Sequence, residues 1–478
     1  MRQHTTSRQA ARLAVVLAAT TGLLAVVPAM ASGADSPSTA LAERLEAAAG
    51  DDGAYRTLEQ VQAIADANGQ VRDDGSDGWK QTVDLFAGEL KASGYTVWRQ
   101  RVPYKKFIVQ EESARTSTNL TVPVFMVRYS NSTKGGGVNA PVVVLPIAER
   151  APSTTGCNAA DYAGLPVKGA IVVVPFSPCG RATQANLAEK AGAVALLEYF
   201  LQPDPSWFLR VVVLGEPPNL PLGTISRASA KTLAAAPAGT VRMNLYLKGK
   251  FITDFTENLF AQSTFGDQHK VVMAGAHLDS ASEGPGLNDN ISAAAAVLRI
   301  AKELGADHTG VKNAVRFAFW GAEERVLVGS NYYAQNLSAQ ERADIAMYLN
   351  AELIAGSNFG RFVVDSRTAT PGSGAPTDAL IEYYAMRDVP IQILPPKSIK
   401  SDDEPIMALG IPTGAITGGT MGVKTPAQAA LWGGTAGQQF DPCYHQICDN
   451  LASIDRPELV VNSKAMAWVV GAFASGAR

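Results

Sequence analysis

The feature that most constrains the fold of this chain is a strand–loop–helix rhythm that sets in after about Lys248 and runs to the C-terminus. "KVVMAGAHLDS" reads as a buried strand, and "ISAAAAVLRIAKELG" (Ile291 to Gly305) as a helix ending on glycine. "NAVRFAFWGAEE" is a second strand, "SNYYAQNL" starts a helix, and "IAMYLNAELIAG" is a third strand. "TDALIEYYAMRD" is helical, "GIPTGAITGG" is a strand, and "RPELVVNSKAMAWVVGAFA" is a closing helix. Alternation of this kind predicts an α/β fold with a mostly parallel central sheet flanked by helices.

Upstream the texture differs. Arg2, Arg8 and Arg12, the apolar run Leu13 to Val27 and Ala29-Met30-Ala31 read as a secretory signal peptide over residues 1–31. The apolar run is short for a membrane span, so the mature chain is expected in the extracellular space, with no membrane association. Trp79 to Gly94 is a helical pattern, and Tyr95 to Val102 alternates like a strand. From about Thr121 to Lys248, short apolar strands such as "APVVVLP", "GAIVVVPF" and "AVALLEYF" alternate with Gly-, Pro- and Ser-rich loops. This stretch contains no histidine and reads as an inserted β-rich α/β domain. It divides the chain into 32–120, 121–248 and 249–478.

A formal charge of −3 over 478 residues gives no electrostatic footprint for nucleic acid. No P-loop, nucleotide fingerprint or G-x-S-x-G elbow occurs. Four cysteines in an exported chain imply disulfides. Of three possible pairings, Cys157 with Cys179 and Cys443 with Cys448 close the smallest loops and are expected. A cysteine-ligated zinc site is the alternative, without zinc-finger spacing to support it.

Ligands of an open parallel sheet bind at the carboxyl ends of its strands. Those ends are rich in chemistry here. The first offers His277 and Asp279, then the loop from Gly284 to Asn290 with Asp289. The second offers Glu323 and Glu324, the third Glu352, and the loop "FDPCYHQICDN" adds His445. His277, Asp289, Glu324, Glu352 and His445 fit a site for two zinc-type cations, with Asp289 as the bridging carboxylate. Two such ions, about 3.5–4 Å apart, share a water. Of the adjacent glutamates, Glu324 is assigned as ligand. Glu323 is left free as general acid/base. Asp279 is placed to hold the other nitrogen of His277.

The stretches "AGAHLDS…GPGLNDN", "FAFWGAEE…GS", "YLNAEL", "SDDEPIMALGIPTG" and "WGGTAGQQFDPCYHQICD" together resemble the secreted di-zinc aminopeptidases of the bacterial leucine-aminopeptidase type. Residues 121–248 resemble a protease-associated domain inserted between the two parts of the peptidase domain. The resemblance implies a zinc exopeptidase fold with two Zn2+ per chain. It implies hydrolysis of the N-terminal residue from peptides or proteins with free N-termini, by a zinc-activated water with Glu323 as base. His277 and Glu352 would serve one zinc, Glu324 and His445 the other, and Asp289 would bridge. Tyr444 matches a tyrosine that hydrogen-bonds the tetrahedral intermediate, and Cys443–Cys448 matches a disulfide bracketing Tyr444 and His445. A monomer is expected. Calcium is a minor possibility at the acidic run Asp402, Asp403 and Glu404, which is read as a loop lining the cleft.

The chain departs from the family at five positions. Glu352 replaces the usual Asp, adding about 1.5 Å of reach. Asn290 and Ile291 replace an acid and a glycine. Arg325 and Val326 replace an apolar residue and a glycine, and Arg325 is expected to face solvent. Three other readings compete. A carboxypeptidase or dipeptidase of the same fold needs a basic patch that no motif provides. A glutaminyl cyclase of this fold needs only one zinc. A secreted binding protein with a degenerate site is suggested by Glu352, Asn290 and Arg325. His269 and His308 read as solvated.

Overall fold

The computed structural model describes residues 40–202, 204–206, 208–210, 219–369 and 374–478. The signal-peptide reading of residues 1–31 lies outside them. Thirteen strands form one mixed sheet. In chain order they are β1 (Thr96–Thr116), β2 (Val124–Met126), β3 (Val138–Val144), β4 (Ile171–Pro175), β5 (Ala195–Tyr199) and β6 (Leu222–Ile225). Then come β7 (Arg242–Gln262), β8 (Asp267–His277), β9 (Asn313–Trp320), β10 (Ile345–Glu352), β11 (Phe362–Val364), β12 (Gln392–Leu394) and β13 (Thr413–Thr417). The spatial order is β12-β11-β13-β10-β8-β9-β7-β3-β4-β5-β6-β2, with β1 paired to β7.

The heart of the sheet is parallel. β9, β8, β10 and β13 run side by side in one direction. Their side chains are almost all buried on both faces, which is why they read as continuous apolar runs rather than alternating ones. Helices cover the two faces. On one side Ser292–Ala306 and Arg456–Ala474 join the N-terminal helices in the largest apolar cluster. The run of alanines from Ala293 to Ala296 is wholly buried, and such small side chains let the helix lie close to the sheet. On the other side Trp320, Phe260, Tyr333 and Ile406 pack together, bringing in helices Val328–Asn336 and Asp403–Ala408.

β1 is far longer than the strand expected at Tyr95–Val102. It runs antiparallel to β7 over some twenty residues. This ribbon leaves the parallel part of the sheet at Val102 and Thr256 and carries the chain to its other part, where β3 adds to β7 and β4, β5 and β6 follow in parallel. Two further apolar clusters cover the two faces of that part. Both disulfides have the expected local pairing, Cys157–Cys179 and Cys443–Cys448. No helix among the described residues is long and apolar enough to cross a membrane.

Candidate metal centre

β8 ends at His277, β9 is followed by a short turn at Glu323–Arg325, and β10 ends at Glu352. Because the three strands are parallel neighbours, their carboxyl ends deliver these residues to one place. The loop after β8 adds Asp289, and the loop before the last helix adds His445. Two triads result: His277, Asp289 and Glu352, and Asp289, Glu324 and His445. The ligand atoms of each lie within 4.8 Å of one another. Asp289 belongs to both. Its Oδ1 is 3.3 Å from Nε2 of His277 and its Oδ2 is 3.1 Å from Nε2 of His445.

The donor set suits two cations. Four carboxylates, Asp289, Glu323, Glu324 and Glu352, surround two imidazoles in a place that is largely buried, and unpaired buried charge is costly. Oε1 of Glu324 is buried without a hydrogen-bond partner although Nε2 of His445 is 3.1 Å away. The two atoms lie side by side, as ligands of one ion do. Burial alone would push His445 down. The charge of Glu324 and the close approach of Asp289 reverse that and raise it to about 10. An imidazole held this strongly by anions is poised to exchange its proton for a metal cation.

His277 is fixed through its other nitrogen. Nδ1 donates to the backbone carbonyl of Asp279 at 2.9 Å, which leaves Nε2 with its lone pair toward the carboxylates in the neutral ring. The Asp279 carboxylate, expected to make this contact, stands 3.6 Å away. It is engaged elsewhere, accepting from the backbone N–H groups of Glu323 (3.1 Å) and Glu324 (3.2 Å). Its role is thus to cap the turn that presents both glutamates. That turn needs support, because Ala322, Val326 and Leu327 all have positive φ.

Glu352 has two differently used oxygens. Oε2 accepts from Ser401 Oγ at 2.6 Å and from Asn290 Nδ2 at 3.1 Å, while Oε1 faces His277 Nε2 at 3.1 Å. Asn290 also donates to the carbonyl of Ala351 and accepts from the N–H of Leu353. An acid at 290 could not donate both bonds when ionised. The Asn and the longer Glu352 are therefore matched. Ser401 is held in turn by Asn350 Nδ2 (2.9 Å), Asn350 by Tyr348 Oη (2.8 Å), and Tyr348 by Trp320 Nε1 (2.8 Å). Indole donates only, so every bond in this buried chain points toward Glu352.

The loop with Asp289 is pinned on several sides. Arg72, wholly buried, donates to the carbonyls of Leu278 (2.7 Å), Pro285 (2.6 Å) and Gly286 (3.0 Å). Asp449 accepts from the N–H groups of Asn288 (2.7 Å) and Asp289 (3.0 Å), and Asp441 accepts from the Asn288 amide. A Cβ on Gly284 would sit 2.1 Å from the carbonyl oxygen of Gln446, so only glycine lets this loop touch the His445 loop. The peptide bond between Asp289 and Asn290 is cis. None of Arg72, Ser401, Asn350, Asp441 or Asp449 was singled out as a site residue from sequence. Each is a single polar residue far along the chain from the group it holds.

Glu323 reaches the same space, with Oε2 3.8 Å from His277 Nε2. Burial, then neighbouring carboxylates against the pull of His277, raise it well above the usual range. Tyr444 stacks on His445 with ring centroids 3.8 Å apart. Burial and the carboxylates hold its phenol well above the usual value, so it stays a donor.

Two further expectations are corrected. Arg325 does not face solvent. It is buried and paired with Asp73 through one guanidinium nitrogen. Asp402 and Asp403 do not line the cleft as a loop. Both are fully buried at the start of helix Asp403–Ala408, Asp402 bonded by Ser330 and pushed up to about 8 by burial. His269 is exposed and bonded to Asp344, and His308 stacks on Phe265.

The mixed α/β sheet thus gathers at its parallel strand ends two triads of side chains that could hold metal ions. Residues 258–470 match the model of Peptidase family M28, and residues 138–233 match the PA domain. The chain is 35% identical over 428 residues to the "Probable lipoprotein aminopeptidase LpqL" of Mycobacterium tuberculosis, covering 87% of this chain and 83% of that protein. It is 34% identical to an "Aminopeptidase" of Pseudomonas aeruginosa over 87% of this chain and 79% of that one. Among solved structures, BSAP, a zinc aminopeptidase from Bacillus subtilis, aligns with a TM-score of 0.68 at 20% identity, over 88% of this chain and 94% of that one. A peptidase M28 precursor from Shewanella amazonensis aligns with a TM-score of 0.69 at 19% identity, over 91% and 96%. These two likenesses concern the fold. The chain belongs to peptidase family M28 and carries a PA domain.

Proposed function

We propose that this chain is an exported aminopeptidase that removes the N-terminal residue of peptides and holds two zinc ions. The observation that carries the reading is the sharing of Asp289 between two triads with Glu323 at their side. Family membership and the aminopeptidase names of the relatives support the reaction, and the donor set of imidazole and carboxylate supports zinc. Two disulfides and the leader at residues 1–31 support export.

His277, Asp289 and Glu352 would hold one ion, and Asp289, Glu324 and His445 the other. When bound, such ions supply Lewis acidity for the scissile carbonyl and the attacking water. The chain's own groups do the rest. Glu323, bonded to no side chain among the described residues, takes a proton from the water and delivers it to the leaving amine. Tyr444, held as a phenol, donates to the oxygen that gains charge in the transition state. The free α-amine of the substrate lies against Glu323 and Glu352, so a blocked N-terminus is excluded.

The test is a comparison of leucine p-nitroanilide with its N-acetyl derivative on the zinc-loaded secreted protein. Cleavage of the free-amine substrate alone is expected. Equal cleavage of both, or of neither across several aminoacyl anilides, contradicts the reading.

A further inference from the structure

A cavity of about 320 Å³ is walled by the β1 ribbon from Lys106 to Glu112 together with Asp73, Arg128, Arg210, Ser282 and Arg325. It shares two elements with the metal centre. Arg325 follows Glu324 directly, and Ser282 belongs to the loop that runs on to Asp289.

Three guanidinium groups meet here, and their hydrogen-bonding capacity is unevenly used. Arg210 is fully engaged, forking onto both oxygens of Glu112 and donating Nε to Glu283 at 2.9 Å. Arg325 uses Nη2 on Asp73, while its Nε is buried with no partner among the described residues. Arg128 is 6% exposed, and among the described residues its Nη2 alone makes a hydrogen bond, to Ser282, with Glu283 at 3.6 Å. Burial holds Arg128 below its ordinary value, and the nearby charge of Arg325 adds to the effect. A guanidinium cannot shed its proton to escape this. Beside the carboxylates Asp73, Glu112 and Glu283, Arg128 keeps nitrogens that meet no acceptor among the described residues, and the fork geometry of arginine suits a carboxylate.

We propose that this cavity is a subsite for a carboxylate of the peptide being cleaved, either its C-terminus or an acidic side chain downstream of the scissile bond. The proposal rests on the aminopeptidase reading above and names its substrate class: short or acidic peptides. Arg128 and Arg325 would bind the carboxylate, and Arg210, held by Glu112 and Glu283, would keep the outer wall in place.

The experiment measures kcat/KM on Leu-Ala, Leu-Ala-Ala and Leu-Ala-Ala-Ala, each as free acid and as C-terminal amide. Amidated peptides with Glu or Gln at the third or fourth position form a second set, and separate a terminal carboxylate from a side-chain one. The expected result is at least a tenfold preference for the carboxylate at one position. In Arg128→Gln that ratio falls to within twofold of one, while hydrolysis of leucine p-nitroanilide is unchanged. Ratios near one at every length in the wild-type protein overturn the subsite without any variant. A preference that survives Arg128→Gln also overturns it. Failure of the wild type on leucine p-nitroanilide instead strikes the aminopeptidase reading itself. Cleavage confined to peptides with a free C-terminal carboxylate, whether or not the N-terminus is acetylated, would replace it with a carboxypeptidase.

Discussion

Ser401 Oγ donates to Oε2 of Glu352 at 2.6 Å, and so leaves the other oxygen of Glu352 for His277. With Asn290 on the same oxygen, Oε1 alone faces His277.

Ser401→Ala removes one of these two donors. Zinc affinity at one of the two sites should fall about 10–100-fold, read by chelator competition on the folded protein. Tyr348→Phe, two bonds further back, should have a smaller effect in the same direction. Unchanged affinity in Ser401→Ala would show that Asn290 suffices.

Asp279→Asn places an amide where two backbone N–H groups now find a carboxylate. The Glu323–Glu324 turn loses an acceptor and gains an opposed donor. A fall in kcat of about 100-fold is expected, within the range for displacing a general base. His277 should still bind zinc, because its own partner is the Asp279 backbone. Loss of zinc with kcat per bound zinc intact would contradict this division of roles.

Val326 has φ of 71° and is partly exposed. A β-branched residue in the left-handed region is strained, and glycine there is not. Val326→Gly should raise stability by about 1 kcal/mol, after allowing for the extra freedom of glycine in the unfolded chain. A urea melt with unchanged slope measures it.

Asp74 is buried, and burial together with the charge of Asp279 pushes its carboxyl up to about 6 from 3.8. A raised acid binds more protons in the folded than in the unfolded state between these two values. Stability is therefore fully supported below about pH 4, declines as pH rises toward 6, and is level above it. Asp74→Asn should be close to neutral at pH 4 and stabilise by roughly 2–3 kcal/mol at pH 7, at one pKa unit per 1.36 kcal/mol. Equal effects at both pH values would contradict the assignment.

Much of this was legible in sequence because the chemistry sits where strands end. His277, Glu323, Glu324 and Glu352 follow apolar runs that admit one reading, and parallel neighbours bring such ends together whatever the loops do. The supporting residues were not legible. Arg325 pairs with Asp73 across 252 residues, and no local pattern announces a partner so remote. The acidic run at Asp402 looked like cleft surface because three acids in a row are usually solvated. Here a helix start and Ser330 take them inside. Asp279 was singled out for its distance from His277 along the chain, but its carboxylate is directed by the turn after β9, which sequence does not place.

The most direct test of the account is Glu323→Gln, with zinc content and kcat measured on the same preparation. Glu323 is assigned to proton transfer and not to metal binding. The variant should keep two zinc ions per chain and lose kcat by about 10²–10⁴-fold, the usual worth of a general base. A variant that retains both zinc ions and turns over leucine p-nitroanilide within tenfold of the wild-type rate would contradict the assignment.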